Sequence, residues 1–127
     1  MQMEDSKIFS GWIAALEARH LSDLRLPEVT KALRALSSAY VERRREAVHR
    51  AMDSAGKRAA FALFYAPLHF LATYLVVRAL EADLPRPRAI LDIGCGTGAA
   101  GAAWAMAAGG TPPVVGIDRH SWALEEA

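Results

Sequence analysis

Leu91 to Ala105 reads LDIGCGTGAAGAAWA. A short apolar run passes through Asp92 into glycines at positions 94, 96 and 98, and then into alanines. Ala89 to Ile93 is branched and apolar, the pattern of a buried parallel strand. Ala99 to Ala108 predicts a helix of small residues, and Gly109 to Pro113 a loop. Val114 to Asp118 repeats the buried-strand pattern. The order is strand, glycine turn, helix, strand, which is one βαβ unit. The fold class read from it is α/β, the start of a Rossmann-like sheet of two parallel strands.

Ligands of open parallel sheets bind beyond the carboxyl ends of the strands. Asp92, Gly94, Cys95, Gly96, Thr97, Gly98 and Asp118 all fall there. A glycine backbone reaches positive φ without strain and lets a ligand press against it. Asp118 follows Gly94 by 24 residues, where an acidic side chain can accept from both hydroxyls of a ribose. The combination predicts a site for a nucleoside cofactor. Gly94-x-Gly96-x-x-Ala99 also fits a dinucleotide fingerprint. Asp92, two residues before the first glycine, argues against a pyrophosphate and for a cofactor with an ammonium and a sulfonium.

Asp92-Ile93-Gly94-Cys95-Gly96-Thr97-Gly98 resembles motif I of the class I, Rossmann-like S-adenosylmethionine-dependent methyltransferases. Val115-Gly116-Ile117-Asp118 resembles the strand and acidic residue that follow it. The resemblance spans about residues 88–127. It implies that Asp92 helps hold the methionine end, that Gly94, Gly96 and Gly98 make room for it with Cys95 and Thr97 between them, and that Asp118 binds the ribose. It also implies a larger sheet than two strands and a substrate-side motif further on. No catalytic residue is assigned here. Cys95 between glycines reads as a backbone contact to the cofactor, and the neighbouring His120 as either an adenine neighbour or a surface histidine.

Outward from this unit, Asp83 to Arg88 is a proline-marked linker that separates an N-terminal helical region, 1–84, from the sheet region, 85–127. Ile8, Trp12, Ile13 and Leu16 predict a helix over 6–19 capped by Ser6. Pro27 opens a second helix with an apolar stripe through Val29, Leu33, Leu36, Tyr40, Ala47, Val48 and Met52. Its polar face carries Lys31, Arg34, Arg43, Arg44, Arg45 and Arg50. Asp53 to Gly56 is a stop and restart before a third helical region, 55–82, which Pro67 should kink or split. Ala59 to Val77 carries no charged residue and would reach about 28 Å as a helix. With Pro67, His69 and Thr73 inside it, it reads as a buried helix, not a membrane span.

The segment from Leu26-Pro27 through Ala32–Ser37 and Tyr40–Arg44, followed by the apolar run with Pro67 and then motif I, is similar to the methyltransferase-like family associated with the mitochondrial small ribosomal subunit and its bacterial relatives. That resemblance implies a small-ribosomal-subunit or rRNA partner.

Bulk properties set the remaining bounds. The chain has 127 residues, 53% hydrophobic and 23% charged, so it folds rather than staying disordered. A net charge of +1 gives no whole-chain field for nucleic acid. The single cysteine, Cys95, excludes an internal disulfide and a cysteine-based metal site. The acidic N-terminus lacks a signal-peptide core, and a cytoplasmic location follows most simply.

The function expected is the S-adenosylmethionine-binding part of a methyltransferase. The alternatives are a non-catalytic ribosome-assembly or RNA-binding module with the same fold, and an NAD-dependent oxidoreductase. Two parallel strands cannot cover both faces of a sheet. Ile90, Ile93, Val114 and Ile117 should therefore lack packing worth about 1.5–3 kcal/mol each. The expectation is an incomplete fold, inactive alone, that needs a missing C-terminal half or a partner chain.

Overall fold

The computed structural model describes residues 1–42, 50, 52–110 and 112–127. The chain divides into two compact units, Ser6–Tyr65 and Ala66–Ala127 with Met1–Asp5. The division falls ahead of the proline-marked linker at 83–88. The reason is packing: the helix before that linker lies against the alanine helix of the sheet unit.

The helical unit is built from α1 (Met3–His20, whose first turn belongs to the other unit), α2 (Leu26–Val41), α3 (Ala55–Ala60) and a π-helical turn, Phe61–Tyr65. Ser6 lies inside α1 and does not cap it. The backbone N–H of Arg25 donates to Glu28 Oε2 at 2.7 Å, which closes the start of α2 around Pro27. The described part of α2 ends at Val41; the expected continuation through Arg43, Arg44, Arg45, Ala47 and Val48 lies outside the described residues. Ser54 Oγ accepts from Lys57 N–H at 3.2 Å and caps α3, the expected restart. Val29 and Leu36 meet Ala59 and Ala60 in the core, with Leu33, Tyr40 and Tyr65 packed around them. Tyr40 and Tyr65 meet edge to face at 5.4 Å.

The helical run is interrupted beside Pro67, the residue expected to kink or split it. The π-helical turn Phe61–Tyr65 immediately precedes α4 (Ala66–Ala79), in whose first turn Pro67 sits. A proline ring clashes with the carbonyl four residues back in a regular helix, and a wider turn relieves that clash. Ala55–Ala79 is long and apolar enough to cross a membrane by length and composition. It is not buried all round: Leu68, Leu75 and Val76 are exposed, while Phe70, Tyr74 and Val77 are buried.

In the sheet unit, β1 (Ile90–Ile93) pairs in parallel with β2 (Val114–Ile117), and α5 (Ala99–Ala107) connects them. The last helix, α6, spans Ser121–Glu126. The register sets Leu91 opposite Val115 and Ile93 opposite Ile117. Side chains alternate across a strand. Asp92 and Val114 face Gly101 of α5, so Leu91, Ile93, Val115 and Ile117 share the other face. That face is open, with exposures of 60%, 76%, 56% and 53%. The buried-strand expectation is therefore corrected: Ile90 alone is buried, because α5 covers one face and nothing among the described residues covers the other. The incomplete packing falls on Leu91 and Val115 as well as Ile93 and Ile117, and Val114 is 40% exposed.

α5 rests on α4 through Ala99, Ala103 and Ala107, all buried at one-turn spacing. Its Gly101 lies against the strands. A Cβ there would stand 2.7 Å from Val114 Cγ1 and 3.1 Å from Asp92 Oδ2. Gly101→Ala should gain up to about 1 kcal/mol of helix propensity and lose about 1–3 kcal/mol to overpacking. We expect a net fall in the thermal midpoint. Gly11→Ala in α1, where a Cβ would meet nothing within 4 Å, should move the midpoint upward; equal shifts in both variants would refute this packing.

Candidate functional site

The glycine turn leaves β1 at Ile93 and enters α5 at Ala99. Gly94, Gly96 and Gly98 have φ of 75°, 54° and 80°, a region other residues rarely adopt. The N–H groups of Gly94 and Cys95 both donate to Ile117 O, at 2.7 and 3.0 Å, and Gly98 N–H donates to Cys95 O at 2.9 Å. These bonds tie the turn to the end of β2. A Cβ on Gly94 would meet nothing within 4 Å, so this backbone faces open space and φ alone demands glycine.

Asp118 stands beyond β2. Its Oδ2 accepts from Gly96 N–H at 2.8 Å, and its Oδ1 from His120 N–H at 2.9 Å. Backbone donation from His120 and Gly96 holds its carboxyl below the ordinary value of 3.8, against a smaller opposing effect of burial. The group is ionised at neutral pH. A carboxylate offers about four lone-pair sites, so each oxygen can accept a further bond from a ligand hydroxyl.

Asp92 stands at the third position of β1. Its Oδ2 accepts from Gly101 N–H at 2.9 Å, in the first turn of α5. A helix N-terminus leaves such donors unpaired and carries partial positive charge. Asp92 satisfies one of them, since Gly98 at the cap position has no side chain to do so. Its other oxygen makes no hydrogen bond among the described residues.

Thr97 Oγ1 and His120 Nδ1 are buried and lack a hydrogen-bond partner among the described residues. Both belong to the rim formed by the turn and the segment after β2. Buried polar atoms are rarely left unpaired. The His120 ring meets Trp122 edge to face at 6.3 Å. His120 stands at the cap position of α6, and no side chain bonds there.

The structure thus brings Gly94, Cys95, Gly96, Thr97, Gly98 and Asp118 to one rim, with Asp92 beneath it on the α5 side. A cavity of about 350 Å³ lies on that side, lined by Asp92, Cys95, Gly98, Val114, Gly116 and Leu124 among others. Neither Gly94 nor Asp118 lines it. It is a gap over β2 beside α6 that shares Cys95 and Gly98 with the rim. The roles of Gly116 and of the Asp92–Gly101 bond are missing from the sequence reading. The Cβ of a residue at 116 would stand 2.7 Å from Cys95 Sγ, a contact that no sequence spacing reveals. Among the described residues no group of three His, Cys, Asp or Glu side chains could hold a metal ion.

Comparison with family models, with curated proteins and with solved structures returned no match.

Cys95 is buried at 8% exposure, and burial, with the charges of Asp92 and Asp118 behind it, raises its thiol pKa. It is a protonated side chain packed on Gly116, not a nucleophile. Alkylation by iodoacetamide at neutral pH should be at least about tenfold slower in the folded chain than in urea, where the thiol is open. Equal rates would overturn the assignment.

Proposed function

We propose that the glycine turn and Asp118 bind S-adenosylmethionine, and that the chain is the cofactor-binding part of a methyltransferase whose methyl acceptor is undetermined. The observation that carries the reading is the ionised Asp118 carboxylate set against Gly96 N–H beside an open Gly94. This is the arrangement needed to accept from the two hydroxyls of a ribose while the turn leaves room for the rest of the nucleoside. Thr97 Oγ1 and His120 Nδ1 supply further polar partners on the same rim.

The bound cofactor would supply a methyl group on a sulfonium. This chain's residues would orient the ribose through Asp118 and pass the remainder along the turn from Gly94 to Gly98. Holding the reacting carbon in line with an acceptor is the main contribution such a site makes to the rate. No residue here is placed as a base.

An NAD reading fits less well. A pyrophosphate seeks the free N–H groups at a helix N-terminus, and in α5 one of these is taken by the Asp92 carboxylate. The ribosome or RNA reading rests on the basic polar face of α2, whose Arg43, Arg44 and Arg45 lie outside the described residues.

Calorimetric titration with S-adenosylhomocysteine, with NADH as competitor class, tests the proposal. We expect binding of the homocysteine compound and a loss of at least about tenfold, 1.4 kcal/mol, in Asp118→Ala. Binding of NADH alone would shift the reading to a dinucleotide. Binding of neither by a chain with native circular dichroism would sink both.

Asp118 also sets a pH dependence. Its folded pKa lies below the unfolded value, so its contribution to stability is complete above the ordinary value near 3.8 and is lost as pH falls through the lower folded value. Asp118→Asn should therefore narrow the stability gap to wild type on acidification, with no change between pH 6 and 8. A gap that widens below pH 4 would contradict the assignment.

A further inference from the structure

A second cavity, of about 380 Å³, lies within the sheet unit at the far end of α5 from the glycine turn. That volume falls in the range of small-molecule sites, about 300–1,000 Å³. Its polar walls are Asp5, Tyr74, Arg78, Asp83 and Arg86, and its apolar floor includes Met106.

Both carboxylates of these walls already hold a partner within the unit. Asp83, 5% exposed, accepts from Arg78 Nη1 at 2.8 Å, and Asp5 accepts from the Tyr74 hydroxyl at 2.6 Å. The two arginines keep unused donors. A guanidinium carries five N–H donors and no acceptor. Arg78 uses one of them on Asp83 and is thereby oriented by a buried partner. Arg86 makes no hydrogen bond or ion pair among the described residues. Pro85 and Pro87 flank it, so its backbone has little freedom left to lose on binding. Its guanidinium lies 3.6 Å from the point a Cβ on Gly109 would occupy, ordinary van der Waals contact.

We propose that this cavity is an anion site in which Arg86 and Arg78 hold the phosphate or carboxylate of a small molecule whose apolar part rests on Leu84 and Met106. A planar guanidinium fork matches both oxyanions, and bidentate charge-assisted bonds are the strong class of such contacts. The site is separate from the glycine turn and does not depend on what binds there.

Titration of the full chain with inorganic phosphate at constant ionic strength, followed by amide chemical shifts, tests it. Acetate in a parallel titration distinguishes the two oxyanions. Saturable shifts at Arg86, Gly109 and Gly110 are expected, with affinity lowered at least about tenfold in Arg86→Ala and unchanged in Arg88→Ala. Arg86 is exposed and unbonded, so its removal should leave the thermal midpoint in place. Arg86→Gln, which keeps the stem and loses the charge, should fail likewise. Shifts that do not saturate, that persist in both Arg86 variants, or that centre on residues 94–98 would overturn the proposal.

Discussion

The bond from Gly101 N–H to Asp92 Oδ2 is the constraint on which the sheet unit depends. It reaches from β1 to the first turn of α5. It can form only because residue 101 has no side chain: a Cβ would enter the space of Val114 and of the carboxylate itself. One contact thus couples the helix to both strands. The direction in which the glycine turn delivers the chain follows from it. Gly94 and Cys95 can then donate to Ile117 O, and Gly96 can meet Asp118. Remove the carboxylate and a buried helix end keeps an unpaired donor, a cost of about 1–3 kcal/mol.

Small residues extend this logic to the next layer. α5 buries Ala99, Gly101, Ala103 and Ala107 while Ala102 and Trp104 stay exposed. Alanines face α4, and glycine faces the sheet. Close approach replaces bulk as the source of packing, because backbone atoms themselves make the dispersion contacts. Leu91, Ile93, Val115 and Ile117 have no such neighbour. They form a continuous apolar square in register on the side that α5 does not cover.

Much of this unit is legible in the sequence because glycine and alternation leave few choices. The turn, both strands within a residue, and the placing of Asp118 beside the turn follow from local pattern. The partner of Asp92 does not. Motif spacing places its carboxylate near the turn but cannot tell whether it points at a ligand or at a helix end, since that depends on the unpaired donors of α5. Burial of the strands is misread for a related reason. A branched apolar run states what a strand would bury, and only the tertiary neighbours decide whether anything covers it. Pro67 signals an interruption of the helical run, while the form it takes, a π-helical turn at Phe61–Tyr65, is not legible from a proline alone. The boundary between the units escapes because the prolines at 85 and 87 mark a change of direction, while the contacts between α4 and α5 decide which residues cohere.

The charge environment of the turn bears on what it could receive. Cys95 lies between the two carboxylates, and its thiol reports their field: after burial itself, Asp92 and then Asp118 are what hold the proton on sulfur. Within the turn itself the neighbours are glycine, threonine and alanine, and His120 beside Asp118 adds to the backbone donors that stabilise its carboxylate. The partial positive charge at the start of α5 is met by Asp92 from within the protein. A phosphate entering here would face two carboxylates with one helix donor already spent. A ligand bearing positive charge would be attracted by both, most strongly where water is excluded and screening is weak. The two carboxylates stand 26 positions apart in the chain. Only the parallel pairing of β1 with β2 brings them to bear on one turn.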